Sequence, residues 1–302
     1  MATLRQLEYF VAIVDEGSFT RAAALLHVTQ PGLSHQFQAL EKEAGGRLVE
    51  RLPRGVRLTA AGRAMLPAAR ATLAASRRAV TAARRATGVA SGELQIATLY
   101  SVSCGILPTA LGLWRSRYPD VRITLFEHPH AEQLAEAMAA GQADIAIGPP
   151  PQNWEGTVRL LGAEEIFLVT HLDDPRTSPA AGVPLADLAE REWIHYTPDS
   201  GLAGLLDEAC ARAGFQPRVA VRTQQAPFAA NFAAAGLGIA LVPGNVLPPE
   251  FHGMLLRPDP PLLRTLAAYT RGEPDPITHA FLDMLTAEVP LTPPHIRDRF
   301  PH

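Results

Sequence analysis

Ser101 and Ser103 stand just ahead of a stretch, 104–117, whose composition reads as a helix. Free backbone N–H groups at a helix start favour negative charge, so these hydroxyls can hold an anion or a polar group, or simply cap the helix. Cys104 occupies the same start, where a lowered thiol pKa would make it redox-active; the plainer expectation is a small residue lining a cleft. His128 and His130 share a strand end without the Cys or HxxxH partner that a metal site needs, so no metal is expected. Asp144, in QADIAIG, reads as an aspartate tying down a turn at a strand start. With no G-x-S-x-G elbow and no P-loop, neither catalysis nor a cofactor is expected. A denser polar set is Thr29, Gln30, Ser34, His35, Gln36 and Gln38, crowded onto one segment. Amides and hydroxyls so grouped suit base edges in a major groove.

These polar residues need a frame. Leu4, Leu7, Phe10, Val11 and Val14 predict a helix over 4–15, ended by Gly17. Ser18 caps a second helix over 19–26, and Thr29 caps a third with Pro31 in its first turn. Leu33, Phe37 and Leu40 bury one stripe of that helix and leave the polar set outward, up to a stop at Gly45–Gly46. Alternation over 48–59 about Pro53–Arg54–Gly55 predicts a two-stranded ribbon carrying Arg51, Arg54 and Arg57, within reach of phosphates or a minor groove. Three short helices and a basic ribbon make a winged helix-turn-helix. Over 60–87, Leu66, Ala69, Leu73, Ser76, Val80 and Ala83 follow coiled-coil spacing beside Arg63, Arg70, Arg77 and Arg84, with Pro67 inside the helix. A dimer seam is the preferred reading, and a helix packed on its own domain the alternative.

Charge divides along the same line. Residues 1–90 carry net +7 and the remaining chain −10, within a total of −3 over 302 residues. A basic end on an acidic body suits a polyanion partner. Apolar residues form 47% of the chain, enough for a sizeable core and too many for a disordered one. Two cysteines, Cys104 and Cys210, exclude a disulfide framework and fit a reducing cytoplasm. Arg5 and Glu8 spoil a signal peptide. The uncharged run 223–249 is broken by Gln224, Gln225, Pro227, Asn231, Gly236, Gly238 and Pro243, so it does not read as a membrane span.

Gly88–Gly92 marks a hinge, and strand–helix alternation follows. Strands are expected near 93–99, 121–126, 143–147, 164–170, 192–196, 218–222, 238–242 and 263–270, with helices near 104–117, 131–140, 200–213, 227–235 and 277–288. This predicts a mainly parallel α/β body in two lobes. The tail from Val289, with Pro290, Pro293, Pro294 and Pro301, reads as a loosely ordered end.

The chain resembles the LysR-type transcriptional regulators over nearly its whole length. The resemblance is carried by LEYFVAIVDEGSFTRAAALLHVTQPGLSHQFQALEKEAG, LVERLPRGVRLTAAG, IATLYSVSCGILP, LFEHPHAEQLAEAMAAGQADIAIG and FAAAGLGIALVP, in that order. It implies a winged helix-turn-helix DNA-binding domain over 1–58 and a dimerising linker helix and hinge over 59–90. An effector-binding domain over 91–302 would follow, two-lobed and like a periplasmic binding protein. Lobe 1 would take about 91–161 and 267–289, and lobe 2 about 162–266. DNA contacts would fall to Thr29, Gln30, Pro31, Ser34, His35 and Gln36, with Arg51, Arg54 and Arg57 on the wing. His35 stands where the family more often has Arg or Gln. Effector contacts would fall to Ser101, Ser103, His130, Gly148, Pro149, Thr197 and Pro198; some relatives have Arg where Pro149 stands, so a neutral or singly charged ligand is expected. Double-stranded DNA, a small-molecule effector and a second copy of the chain are the implied partners, in a homodimer or homotetramer. A cytoplasmic small-molecule binder or enzyme with the same body is the competing reading, and it leaves residues 1–60 without a purpose.

Overall fold

The computed structural model describes residues 2–52, 55–86, 92–174 and 182–300. Arg54, residues 87–91 of the hinge and Pro301 lie outside the described residues, as do the side chains of Arg77, Ala83 and Arg84. The chain divides into two compact units, Met1–Gly92 with Ala137–Ala143, and Glu93–Glu136 with Asp144–His302.

In the first unit, α1 (Leu4–Glu16), α2 (Phe19–Leu25) and α3 (Gln30–Glu43) precede a hairpin of β1 (Val49–Leu52) and β2 (Gly55–Leu58), then the long α4 (Ala60–Ala86). Each short helix starts where a side-chain oxygen replaces a missing backbone partner: Thr3 for α1, Ser18 for α2 and Thr29 for α3. Thr3 and Gln6 form a reciprocal capping box. Phe10, Phe19 and Phe37 meet at the centre, Phe19 edge-on to Phe37 at 5.5 Å. Gly62 lies where α4 starts against the ribbon; a Cβ there would fall 2.0 Å from the Leu48 carbonyl oxygen. Ala69 is buried, and Leu66 and Leu73 pack on the same core. The first half of α4 thus docks on its own unit, which amends the pure-seam expectation. Val80, further along, stays exposed.

The second unit runs β3 (Glu93–Leu99), α5 (Tyr100–Gly105), α6 (Leu107–Arg117), β4 (Arg122–His128), α7 (Ala131–Ala139), β5 (Ile145–Gly148), β6 (Val158–Thr170), β7 (Val183–Pro184) and β8 (Glu192–Tyr196). It continues with α8 (Gly201–Arg212), β9 (Arg218–Thr223), α9 (Ala226–Ala234), β10 (Ala240–Pro243), β11 (Met254–Leu256), β12 (Pro258–Asp259), β13 (Leu262–Tyr269), α10 (Pro276–Glu288) and α11 (Pro294–Arg299).

A single sheet of order β10-β6-β13-β5-β3-β4 passes through both lobes. β6 and β13, antiparallel, make the crossing, with a register shift between Leu266 and Ala267. In lobe 1, β3 pairs β4 and β5 in parallel. In lobe 2, β8 and β9 form a separate parallel pair, covered by a core that includes Phe167, Trp193, Tyr196 and Leu206.

Two expectations need correction. The helix expected over 104–117 is two helices, α5 and α6, broken at Ile106, because Pro108 can begin a helix but not continue one. The tail is not loose. α10 packs on lobe 1, with Phe281 edge-on to Trp114 at 5.3 Å. The chain then passes Leu291 against Gly162 and enters lobe 2 as α11, burying Ile296. His295 Nε2 lies 2.9 Å from the Leu247 carbonyl, and the Phe300 carbonyl accepts from Arg257 at 3.0 Å.

Candidate functional site

The first site is the outer face of α3. Leu33, Phe37 and Leu40 are buried, which forces the residues between them outward. Pro31, His35, Gln36 and Gln38 are exposed, while Gln30 and Ser34 are partly covered. The two flanks of this face are braced. On one, Ser34 Oγ accepts from Arg51 Nη2 at 2.6 Å, and the Arg51 guanidinium sits 4.1 Å above the Phe19 ring. On the other, Gln36 Oε1 accepts from Gln6 Nε2 at 3.4 Å, and Gln6 Oε1 accepts from the Thr3 N–H at 2.9 Å. Thr29 Oγ1 accepts from the Gly32 N–H, so it serves the helix start as well as standing on the exposed side. On the ribbon, Arg57 donates to Glu50 Oε2 at 2.6 and 3.1 Å, which offsets its charge. Of the three wing arginines, then, Arg51 lies along α3 and Arg57 is paired across the ribbon.

The second site is the cleft between the lobes of the second unit. This narrow cleft is lined by Leu99, Tyr100, Ser101, Pro129, Ser200, Gly201, Leu202, Gln224, Gln225, Ala226 and Arg264. Ser101, in the first turn of α5, is the sequence-selected residue that lines it. Its Oγ accepts from Arg264 Nη2 at 2.8 Å. Arg264 Nε is ion-paired to Glu164, whose other oxygen accepts from Asn245 Nδ2 at 2.5 Å. Both charges are buried, the side chains 9% and 1% exposed, so they cancel at the crossing of β6 and β13. Gly105 packs on Asn245 so closely that a Cβ would fall 2.3 Å from Oδ1. At the cleft mouth the Gly201 N–H of α8 donates to the Pro129 carbonyl at 3.0 Å, linking the two lobes directly.

The other sequence-selected residues do not line this space. His130 lies beside Gly201, its Nδ1 3.6 Å from the Glu132 carboxylate at the start of α7. Thr197 uses its backbone, its N–H donating to Thr223 and its carbonyl accepting from Ser200. Gly148 ends β5, followed by Pro149; Pro198 is exposed, and Ser103 sits on α5. Cys104 is exposed, yet burial of its sulfur and the nearby Glu127 push its thiol upward, away from the reactive thiolate. Among the described residues, no cluster of three or more His, Cys, Asp or Glu is placed to hold a metal, and no helix is long and apolar enough to cross a membrane.

Two family models match. Residues 4–63 match the bacterial regulatory helix-turn-helix protein, lysR family, and residues 87–290 match the LysR substrate binding domain. The chain belongs to the LysR family. It is a DNA-binding transcriptional regulator with an α/β effector-binding domain. The HTH-type transcriptional regulator ClcR of Pseudomonas putida is 32% identical over 288 residues, covering 93% of this chain and 97% of that one. BenM of Acinetobacter baylyi is 31% identical over 246 residues, 80% of each chain. Among solved structures, CbnR, a LysR family transcriptional regulator, superposes with a TM-score of 0.68 at 25% identity, covering 98% of this chain and 99% of that one. Full-length OxyR of Pseudomonas aeruginosa shares the fold with a TM-score of 0.74 at 20% identity, covering 97% and 100%.

In this LysR regulator, Arg264, Glu164 and Gln6 are the site residues that a sequence reading does not single out. Arg264 and Glu164 alternate within strands that read as core, and nothing local marks them as partners. Gln6 was visible only as a polar residue in an amphipathic helix; the Thr3-x-x-Gln6 capping box was the available signal.

Proposed function

We propose that α3 enters a major groove as a sequence reader, with Thr29, Gln30, Pro31, Ser34, His35 and Gln36 at the DNA and Arg57 and Arg54 near its phosphates. The observation that carries this reading is the polar outer face of α3, held from both flanks over a buried aromatic core. The regulator acts in the cytoplasm without catalysis. It binds a pseudo-palindromic site as a homodimer through α4, where Val80 remains exposed, and two such dimers pair into a tetramer. Its effector is a small molecule held in the cleft at Ser101. Because Arg264 donates to Ser101 Oγ, the serine O–H is available to donate to an acceptor on the ligand. Glu164 already matches the Arg264 charge, which favours a neutral or singly charged ligand over a dicarboxylate.

The test is a binding selection of the full chain on a random duplex library, followed by anisotropy on the recovered site and on unrelated DNA. Gln30→Ala is expected to lose about 1–3 kcal/mol on the recovered site and little on unrelated DNA. Arg57→Ala is expected to weaken both alike and to flatten the salt dependence. Equal losses on both DNAs for Gln30→Ala would remove α3 from the reading role. Sedimentation of the full chain at micromolar concentration checks the oligomer, and a monomer there removes the α4 interface.

A further inference from the structure

The braces beneath α3 do more than hold it. A glutamine amide offers an acceptor on one side and two donors on the other, and which one faces outward depends on what lies behind. The Thr3 N–H can only donate, so the atom of Gln6 facing it at 2.9 Å is Oε1. That turns Gln6 Nε2 toward Gln36. The 3.4 Å separation makes a weak hydrogen bond, but two NH2 groups at that distance would repel. Gln36 therefore turns Oε1 inward to Gln6 and exposes its NH2. The same logic holds on the other flank with a stronger contact. A guanidinium has no acceptor, so Ser34 Oγ must accept from Arg51 at 2.6 Å, and its own O–H is left to donate. Stacking on Phe19 keeps Arg51 in that position.

Resting on the reading of α3 as the groove-entering helix, we propose that Gln6 and Arg51 are positioning residues that set base specificity, fixing Gln36 and Ser34 as hydrogen-bond donors. A glutamine free to use both ends reads adenine by accepting from N6 and donating to N7. Gln36, with its oxygen turned inward to Gln6 and its NH2 outward, presents donors to the groove in place of that mixed pair. It selects edges that offer acceptors: guanine O6 and N7, or thymine O4. Ser34, two residues earlier and on the opposite flank, makes the same demand on a different base.

The experiment is a selection of the full-length protein on a random duplex library, with the bound pool sequenced for wild type and variants. Gln36→Ala identifies the base position that Gln36 reads, because that position loses its preference. Gln6→Glu is the informative change. Glutamate serves equally well in a capping box, so the start of α1 is kept. It carries only acceptors, however, so Gln36 must turn its NH2 inward and present Oε1 to the groove. The expected result is that the Gln36 position swings from guanine or thymine to adenine or cytosine, by at least about fivefold in relative preference. Gln6→Leu, which frees the amide, is expected to broaden the same position to admit adenine, and it serves if the charged variant fails to fold by circular dichroism. Arg51→Met is expected to broaden the position read by Ser34. If Gln36→Ala erases a preference that both Gln6 variants leave unchanged, the positioning role is overturned while α3 remains the reader. If Gln36→Ala weakens all sequences equally and changes no position, Gln36 does not touch a base, and the inference falls with that assignment.

Discussion

Replacing Arg264 with Met keeps most of its volume but removes the charge ion-paired to Glu164, a carboxylate whose side chain is 1% exposed. Asn245 Nδ2 would still donate to one carboxylate oxygen, leaving a single neutral hydrogen bond to a buried anion. Breaking a buried pair in this way costs about 3–5 kcal/mol, because the remaining charge is uncompensated. In a domain of this size each kcal/mol moves the melting temperature by about 2–4 °C, so a fall of about 6–20 °C is expected. Calorimetry of the full chain, without DNA or effector, follows the transition of the effector-binding unit. The second half of the test is Glu164→Gln in the same chain. Removing the stranded charge is expected to restore most of the loss, so the double variant should melt well above Arg264→Met alone. A single variant within about 2 °C of wild type, or a double variant no more stable than the single, would refute the account of the crossing as holding two cancelling buried charges.

Ile296→Ala is expected to cost about 2–5 kcal/mol, with the loss of hydrogen-exchange protection confined to lobe 2, although the residue follows a helix of lobe 1. The same loss in lobe 1 amides would contradict the placement of α11. The Asp283 and Glu288 carboxyls are held below their ordinary range by hydrogen bonds from Arg159 and Arg117, which tie α10 down. A depressed folded-state pKa means that this contribution is present above the unfolded carboxyl range and is lost as pH falls through the lower folded values. Amides of α10 are therefore expected to lose protection below about pH 4, with no such loss between pH 6 and 8.

What the sequence made legible was local. Ser18 and Thr29 sit within three residues of the N–H groups they cap, and the helices they start were readable to within a residue or two. The β3 strand was also plain, since its apolar run is bounded by Gly92 and a helix. The cleft was legible only at Ser101. Arg264 and Glu164 are 100 positions apart and become partners only because β6 and β13 run antiparallel through the crossing. The Gln6–Gln36 contact spans 30 positions and two turns. The tail misled for a different reason. Its prolines signal irregular backbone, and its few apolar residues, Leu291, Ile296 and Phe300, are spaced too widely to carry a periodicity by which to recognise that the segment docks.

The route of α11 bears on how the chain is made. Residues 162–266 supply most of lobe 2, yet Ile296 and Phe300 also pack on its core, with the Phe300 ring tilted against Phe167 at 5.0 Å. During vectorial synthesis the N-terminal helices can fold while later residues are still being added. The contacts of lobe 2 with Ile296 and Phe300 must wait until those residues have been made and have left the ribosome. A premature stop a few codons before residue 296 would thus leave the DNA-binding helices intact while depriving the lobe that faces the effector of its final apolar contacts. A truncated chain of that kind would hold its operator and no longer answer to its ligand.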